Sequence, residues 1–491
     1  EMEEGEEKER MLKIKKFTHC NIDPNQLFGV PGMICPMANK QMGARNTFQA
    51  SMAKQALGYF NINYHEKFYG RKEGFKRLYR ATRCICETDG YFLPKMDVMP
   101  AGQTAMVAFL TDPDNQEDSV IVSEDFINSG NLNYFKYIMV HYIQSALPIG
   151  EREFFEKPPP KKNESPEKYS HILENGLPKL DTYVREGDCL IGKVIRNSKD
   201  GTVKNNSLMC GLGEEGYVDR IIFTKEKDRS NTYIKIKLRK HRKYQAGDKL
   251  AIRYAQKGTV GRVEKRENMI RVSKGINKGI SPDIIFNPLG FPSRQTVGLL
   301  IEGLLTKAAV YTGTRVDVSA FREIDMEKAT RVLEENGLDG YGYEDFEFSD
   351  GTKIQNKVCF VPIYEQVLRH QVLDKIQMRS SGVKSLYTHQ PKGGRGIGGG
   401  QKIGEMEKDS FVAHGASGII VERLMKVSDE FKLVVCQNCG IIINNKNCTL
   451  CDNSQPGILT IPYVFKLLIH LMNGVGLDIR LKTKEKEQIE D

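Results

Sequence analysis

The chain contains no tryptophan, no apolar leader and no apolar run long enough to cross a bilayer. The missing tryptophan decides little. Glu1 to Arg10 is mainly acidic, which excludes the apolar core of an export signal there. The longest apolar stretch, Val297 to Tyr311, is broken by Glu302 and Lys307 and is too short and too charged for a membrane span. A strong charge of one sign is also absent: 72 basic residues oppose 63 acidic ones, for a net charge of +9. That balance permits a nucleic-acid partner without establishing one, because placement matters more than total. No repeat with a period of roughly 20 to 50 residues occurs, which argues against solenoids and propellers.

What is present is an ordinary globular composition, 40% hydrophobic and 27% charged over 491 residues. That length exceeds one core and predicts about two to four packed units. The 11 cysteines are odd in number, and four crowd into Cys436 to Cys451. Without an export signal they read as reduced thiols in cytoplasm or nucleus. The chain opens without an initiator Met, in an acidic run like the inside of a longer protein. That run and the mixed-charge Lys482 to Asp491 read as solvated ends.

Composition separates four regions. The first, about Phe17 to Glu124, carries a helical stretch at Thr47 to Leu57. It ends in two β-rich runs, Thr104 to Leu110 and Ser119 to Ser123, around a polar loop. The second opens with the helical-looking Leu132 to Ala146 and passes through the extended Lys157 to Lys161, rich in proline. Short strands follow at Cys189 to Ile195, Gly216 to Phe223 and Thr232 to Leu238, a β-rich insertion. The third, about Gln245 to Asp409, holds a strand-like Lys249 to Val263, a helix from Thr296, a second helix Tyr364 to Arg379 and a Gly-rich loop, Lys392 to Gly404. The fourth has helices at Ser417 to Val427 and Pro462 to Met472 around the cysteines.

Cys436 and Cys439, then Cys448 and Cys451, form two C-x2-C pairs eight residues apart. Each pair turns both sulfurs toward one ion, and two pairs complete the tetrahedron Zn²⁺ prefers. Redox or disulfide use of paired CxxC units is disfavoured in a reduced compartment, and four thiolates leave no open position for substrate. Two nucleotide-like motifs are decoys. Gly187 to Lys193 fits G-x-x-x-x-G-K, but Val194 stands where Ser or Thr is needed. Gly394, Gly396 and Gly399 fit G-x-G-x-x-G inside a stretch where glycine makes a match nearly inevitable. Glu117 and Asp118 end a polar loop, where adjacent acids are more often solvated than metal-bound. Lys249, Arg253 and Lys257 would share one face of an extended strand, though Gly258 and Gly261 speak for a bend. On the expected helix from Tyr364, His370, Asp374 and Gln377 fall opposite an apolar stripe of Leu368, Val372 and Ile376.

Six motifs then occur in order: Ala44 to Gln49 with Ala53 to Ala56; Asn115 to Ser119; Gly247 to Lys249 with Gln256 to Gly261; Asn287-Pro288 with Pro292 to Arg294; Leu368 to His370; and Gly404 to Asp409. Together with the terminal thiols they closely resemble the C-terminal part of the second-largest, β-like subunit of multisubunit DNA-dependent RNA polymerases, of eukaryotic, archaeal or viral type. The resemblance implies an α+β multidomain fold: a double-psi β-barrel hybrid-binding core, a β-rich wall insertion and a C-terminal zinc ribbon. It divides the chain into residues 1–124, the first part of the hybrid-binding region; 125–245, the wall or flap; 246–409, the second part with active-site lysines; 410–433, the anchor; and 434–491, the clamp portion with zinc.

The same resemblance implies roles. Lys249 and Lys257 contact the RNA 3′ end and the incoming nucleotide; Arg45, Arg294 and His370 hold triphosphate oxygens; Gln55 touches the RNA backbone; Glu117 and Asp118 sit near a nucleotide-borne Mg²⁺. Four positions depart from the family pattern: Tyr254-Ala255 for His-Gly, Ala44 for Pro and Lys408 for Arg. The carboxylate triad that holds the catalytic Mg²⁺ belongs to the largest subunit and has no counterpart here. The implied protein is therefore half of a nucleotidyltransferase subunit, with structural Zn²⁺, and with Mg²⁺ held mainly by a partner. Its expected partners are the largest subunit, the N-terminal part of the second-largest subunit, small assembly subunits, DNA template, RNA transcript and nucleoside triphosphates, with no membrane. A free-standing half-subunit points to a viral or archaeal-like enzyme, with virion packaging as a corollary. The competing readings are a non-catalytic zinc-ribbon nucleic-acid-binding transcription factor and a self-contained metal nuclease, the latter lacking a further carboxylate cluster.

Overall fold

The computed structural model describes residues 18–19, 21–58, 75–144, 150–159, 165–197, 200–225, 232–444, 447–451 and 455–482. The charged run at the N-terminus, all but Lys482 of the C-terminal one, and the end of the proline linker lie outside the described residues. Two compact units emerge: residues 1–210 with 214–374, and 211–213 with 375–491.

The first unit is organised by a closed six-stranded barrel. We label the elements that matter α1 (Gly43–Ala53), β1 (Phe75–Leu78), β2 (Gln103–Phe109), β3 (Ser119–Ser123), β4 (Tyr134–Ile143), β5 (Gly216–Lys225), β6 (Thr232–Arg242), β7 (Lys249–Ile252), β8 (Gln256–Glu264), β9 (Ile284–Phe286), α2 (Val297–Thr312) and β10 (Val358–Val367). Around the barrel the order is β7-β8-β3-β9-β2-β10, and β10 pairs back onto β7. The β8–β3 and β9–β2 pairings are parallel and the other four antiparallel.

Alternation explains why the barrel strands read as continuous apolar runs. Val107, Val120, Val122, Ile284 and Val361 point into one core, while the intervening Ala108, Ile121, Ile285 and Phe360 point into a second. Both faces are covered, so neither needs polar residues. Helix α2 packs on the first core through Leu299 and Leu305. The two charges that interrupt its apolar run are buried ion pairs. Glu302 meets Arg253 at 2.6 Å, each about 1% exposed, and Lys307 meets Glu344 at 2.6 Å and the carbonyl of Phe360 at 2.9 Å.

The insertion's strands, with β1 of the first region added at one edge, form a five-stranded antiparallel sheet in the order β1-β4-β6-β5 followed by Tyr183–Val184, with a core around Val218, Ile234, Ile236 and Leu238. The decoy Gly187 to Lys193 runs through a turn into Cys189–Ile191, and Lys193 is buried against Glu153 at 3.0 Å.

Three expectations are corrected. Leu132 to Ala146 is not helical: β4 spans Tyr134–Ile143 and pairs along its whole length with β6. Tyr364 to Arg379 is not a helix either, because Tyr364 to Val367 finish β10 and only Val372–Asp374 make a 3₁₀ turn. The His370, Asp374, Gln377 face therefore does not exist; Asp374 instead pairs with Lys136 at 2.8 Å and with Lys76. Finally, Lys249 to Val263 is two strands joined through Ala255, whose φ is 60°. No helix among the described residues is long and apolar enough to cross a membrane.

Glu365 on β10 is fully enclosed, and burial, helped by Glu302, pushes its carboxyl up to about 8 from 4.5. A raised folded pKa means stability is fully present below about 4.5 and is lost as pH climbs through about 8. We expect unfolding stability to decline across that window with a slope of up to roughly 1.4 kcal/mol per pH unit from this group. Glu365→Gln should flatten the decline. Denaturant midpoints measured across that range for both proteins check this, and parallel curves would contradict it.

In the second unit a hairpin, β11 (Glu430–Cys436) and β12 (Pro456–Pro462), leads into α3 (Tyr463–Gly474). Tyr463 stacks on His389 at 3.8 Å. The Gly-rich loop Lys392 to Gly404 folds around one 3₁₀ turn, Arg395–Ile397, with no strand–loop–helix around it.

Candidate functional site

The polar loop between β2 and β3 is built by its own side chains. Asp112 caps a 3₁₀ turn, Pro113–Asn115, and the buried Asn115 donates to Leu110 O at 2.7 Å. Beyond it Glu117 and Asp118 both take left-handed backbone, φ 47° and 68°, a conformation costly for side chains with a Cβ. Pairing with β8 holds the loop there: Thr259 N donates to Asp118 O at 2.9 Å. Gly261 permits that approach, since a Cβ there would collide with Ser119 Oγ and Asp114 O.

The loop walls a cleft of about 680 Å³, with Asn287, Ser293 and Arg294 opposite. That size suits a small ligand. Arg294 ends the short helix Gly290–Arg294 and grips Asp118 through both terminal nitrogens, Nη2 to Oδ2 at 2.7 Å. Its Nη1 also donates to Gln256 Oε1 at 2.7 Å. The Asp118 hydrogen bonds raise the Arg294 pKa above its ordinary value. Arg45 on α1 stands in the same field: partial burial and then the Arg294 charge lower its pKa. Its Nη1 donates to Ala255 O at 3.4 Å.

A second group lies along the β7–β8 hairpin. Lys249 lies opposite Thr259 and Ala251 opposite Lys257. In this register Lys249 and Lys257 share one face, while Leu250 and Ile252 turn into the core. Arg253, the third member of the expected stripe, leaves it for the buried pair with Glu302. His370 comes to the hairpin from β10: Lys249 N donates to His370 O at 3.4 Å, and the ring Nε2 lies 2.9 Å from Gln55 Oε1.

Helix α1 joins the two clusters. Gln49, one turn after Arg45, accepts from Ala255 N at 3.1 Å and donates to Gln366 Oε1 at 3.0 Å. Of the residues singled out by sequence, Glu117, Asp118 and Arg294 line the cleft; Arg45, Gln55, Lys249, Lys257 and His370 do not. Two residues were missed. Gln256, which holds Arg294, and Gln49, which bonds Ala255 N and Gln366, are buried amides inside the family motifs, but the motifs do not show what they hold.

In the second unit the thiols of Cys436, Cys439, Cys448 and Cys451 all lie within 4.8 Å of one another. The turn after the first pair closes by Gly440 N donating to Cys436 O at 2.8 Å, with Gly440 at φ 77°. Backbone N–H groups of Cys439 and Asn438 draw the Cys436 thiol down to about 7, toward the thiolate a metal needs. Four thiolates at this spacing suit a structural zinc. We expect metal analysis to find about one zinc per chain, and Cys439→Ser or a strong chelator to unfold this region. A metal-free chain with the β11–β12 hairpin intact would contradict it.

Residues 32–396 match the family model described as RNA polymerase Rpb2, domain 6, and residues 399–484 match Rpb2, domain 7. The chain is 34% identical over 490 residues to the DNA-directed RNA polymerase II subunit RPB2 of Meyerozyma guilliermondii, covering 95% of this chain and 39% of that protein. It is 34% identical over 491 residues to the RPB2 subunit of Encephalitozoon cuniculi, covering 96% and 42%. It is 30% identical over 496 residues to the DNA-directed RNA polymerase subunit Rpo2 of Saccharolobus shibatae, covering 96% and 43%. The chain thus spans about two fifths of the length of these relatives. All three come from cellular organisms, so the viral side of the viral or archaeal-like expectation is not shown. A family model over most of the chain and these relatives agree with the barrel and the thiol cluster: the chain belongs to the second-largest-subunit (Rpb2) family of DNA-directed RNA polymerases.

Proposed function

We propose that this chain supplies the nucleotide- and hybrid-handling side of an RNA polymerase centre, working with a largest subunit and the rest of the second-largest subunit. Arg294, Arg45 and His370 hold triphosphate oxygens; Lys249 and Lys257 meet the RNA 3′ end and the incoming phosphates; Gln55 touches the RNA backbone. The observation that carries this reading is the cleft lined by Arg294, which Asp118 and Gln256 align and beside whose charge Arg45 stands. Phosphoryl transfer is accelerated mainly by such fixed positive groups, which position the phosphates and offset developing charge.

Mg²⁺ borne by the nucleotide would supply further charge neutralisation. Asp118 is engaged by Arg294 while Glu117 is exposed beside it, so these residues fit a contribution to a shared ion and not a complete cage. The four thiols hold zinc in a structural role. The two parallel pairings within the six-strand barrel support a double-psi arrangement. The wall, anchor and clamp divisions at residues 125–245, 410–433 and 434–491 follow the same family plan.

The test is reconstitution. The purified chain should make no RNA alone. Affinity purification from its source should recover a largest subunit, and RNA synthesis should return in that assembly. Lys257→Ala should then slow nucleotide addition about tenfold or more with assembly intact. RNA synthesis by the chain alone would overturn the division of labour, and an unchanged elongation rate would favour a non-catalytic nucleic-acid binder.

A further inference from the structure

Gln256 opens β8 and is 0% exposed. A buried amide must place each polar atom against a partner of opposite kind. Here Nε2 donates to Gly290 O at 2.9 Å and contacts Thr296 Oγ1 at 2.9 Å, while Oε1 accepts from Arg294 Nη1 at 2.7 Å. The alternative flip is excluded by chemistry. It would set oxygen against the Gly290 carbonyl and an N–H against the guanidinium, two repulsions in place of two bonds. The amide therefore has one orientation, and that orientation faces an acceptor toward Arg294.

Arg294 has a second anchor, Asp118, but the two anchors differ in kind. Asp118 is a charged residue on a strained, partly exposed loop, and its carboxylate cancels the charge it orients. Gln256 is neutral and enclosed, so it fixes direction and leaves the cation uncancelled. Its other two bonds reach both sides of Arg294 in sequence, Gly290 at the start of the short helix and Thr296 just after it. One side chain thus braces the segment and the tip of the arginine together.

We propose that Gln256 is a positioning residue for Arg294, holding the guanidinium aligned at the cleft for a nucleoside triphosphate when Asp118 is drawn to other partners. This rests on the reading of Arg294 as a phosphate-binding group. The rest of the guanidinium fork remains for the ligand, and a donor misaligned by a fraction of an ångström loses much of its hold on phosphate.

The experiment is steady-state nucleotide addition by the assembled polymerase, for Gln256→Met, Arg294→Ala and the double variant. Methionine keeps the volume and removes the acceptor. We expect Gln256→Met to raise KM for nucleoside triphosphates about tenfold, with kcat changed less than about threefold. In the Arg294→Ala background the same substitution should cost nothing more, because the group it acts through is gone. Thr296→Val, a milder loss of one brace, should raise KM about two- to threefold and also lose its effect in that background. It keeps the test open should Gln256→Met fail to assemble. Equal KM penalties with and without Arg294 would reveal a packing role and overturn the proposal, as would an unchanged KM in Gln256→Met. An unchanged KM in Arg294→Ala itself would overturn the phosphate-binding reading and this proposal with it.

Discussion

Arg294→Ala in the assembled polymerase should reduce nucleotide addition at limiting substrate by about 100-fold or more. The change acts twice. It removes the guanidinium N–H groups that a triphosphate can accept from, and it leaves the Asp118 carboxylate unpaired in the same cleft, where it repels phosphate. Arg294→Lys returns the charge without the planar fork, so it should recover only part of the loss. Raising Mg²⁺ should help the alanine variant more than the parent, since a cation can take over some of the neutralisation of Asp118. Rates at subsaturating nucleotide, with assembly checked by co-purification, decide this; a loss below about threefold would sink the assigned role.

The second large effect is on folding. Glu302→Leu should destabilise the first unit by about 3 to 5 kcal/mol, because Arg253 would stay buried with its charge unanswered. That is a sizeable share of the roughly 5 to 15 kcal/mol that holds a typical domain together. The guanidinium keeps the Cys86 carbonyl at 2.8 Å, the Cys84 sulfur at 3.4 Å and the Tyr364 ring at 5.1 Å, which are weak substitutes for a carboxylate. Arg253→Met combined with Glu302→Leu should recover most of the loss, since the pocket then holds no charge. Denaturant unfolding of the single and double variants separates these outcomes. A single variant within about 1 kcal/mol of the parent would mean the pair is not a structural requirement.

Parts of this architecture are plain in the sequence. The runs Thr104 to Leu110 and Ser119 to Ser123 are strands within a residue of where they were expected, because apolar β-branched residues end at polar turns. The thiol spacing announces its cluster, and the apolar run at Val297 to Tyr311 is one helix. β4 was misread because Leu132, Phe135, Met139 and Tyr142 fall at near-helical spacing, whereas its pairing partner β6 lies about a hundred residues on. β10 was misread because its last residues were joined to a following stretch whose apolar residues recur every fourth position. The cationic stripe failed at Arg253 because an ion pair with a residue 49 positions away outweighs local alternation. At the site, charges could be picked out by family pattern, but the roles of the buried amides behind them could not. Gln49 and Gln256 stand inside the family motifs, but their partners lie far away in sequence, so the motifs do not show what they hold.

Barrel closure has a consequence for how the chain is made. The strand that seals the ring, β10, pairs with both β2 and β7, and β2 leaves the ribosome first of the six. From Gln103 to Val367, synthesis takes roughly 13 to 50 s at ~5 to 20 residues per second. During that interval β2 stands without β10, joined from Ile252 onward by β7, and their unpaired edges can recruit other nascent chains. The β4–β6 insertion, complete by Arg242, can settle earlier, so the late-arriving segment must dock against an already ordered neighbour. Yield of the folded chain should thus depend on translation speed between β7 and β10, and on chaperones that shield sheet edges, more than on the intrinsic stability of the finished barrel.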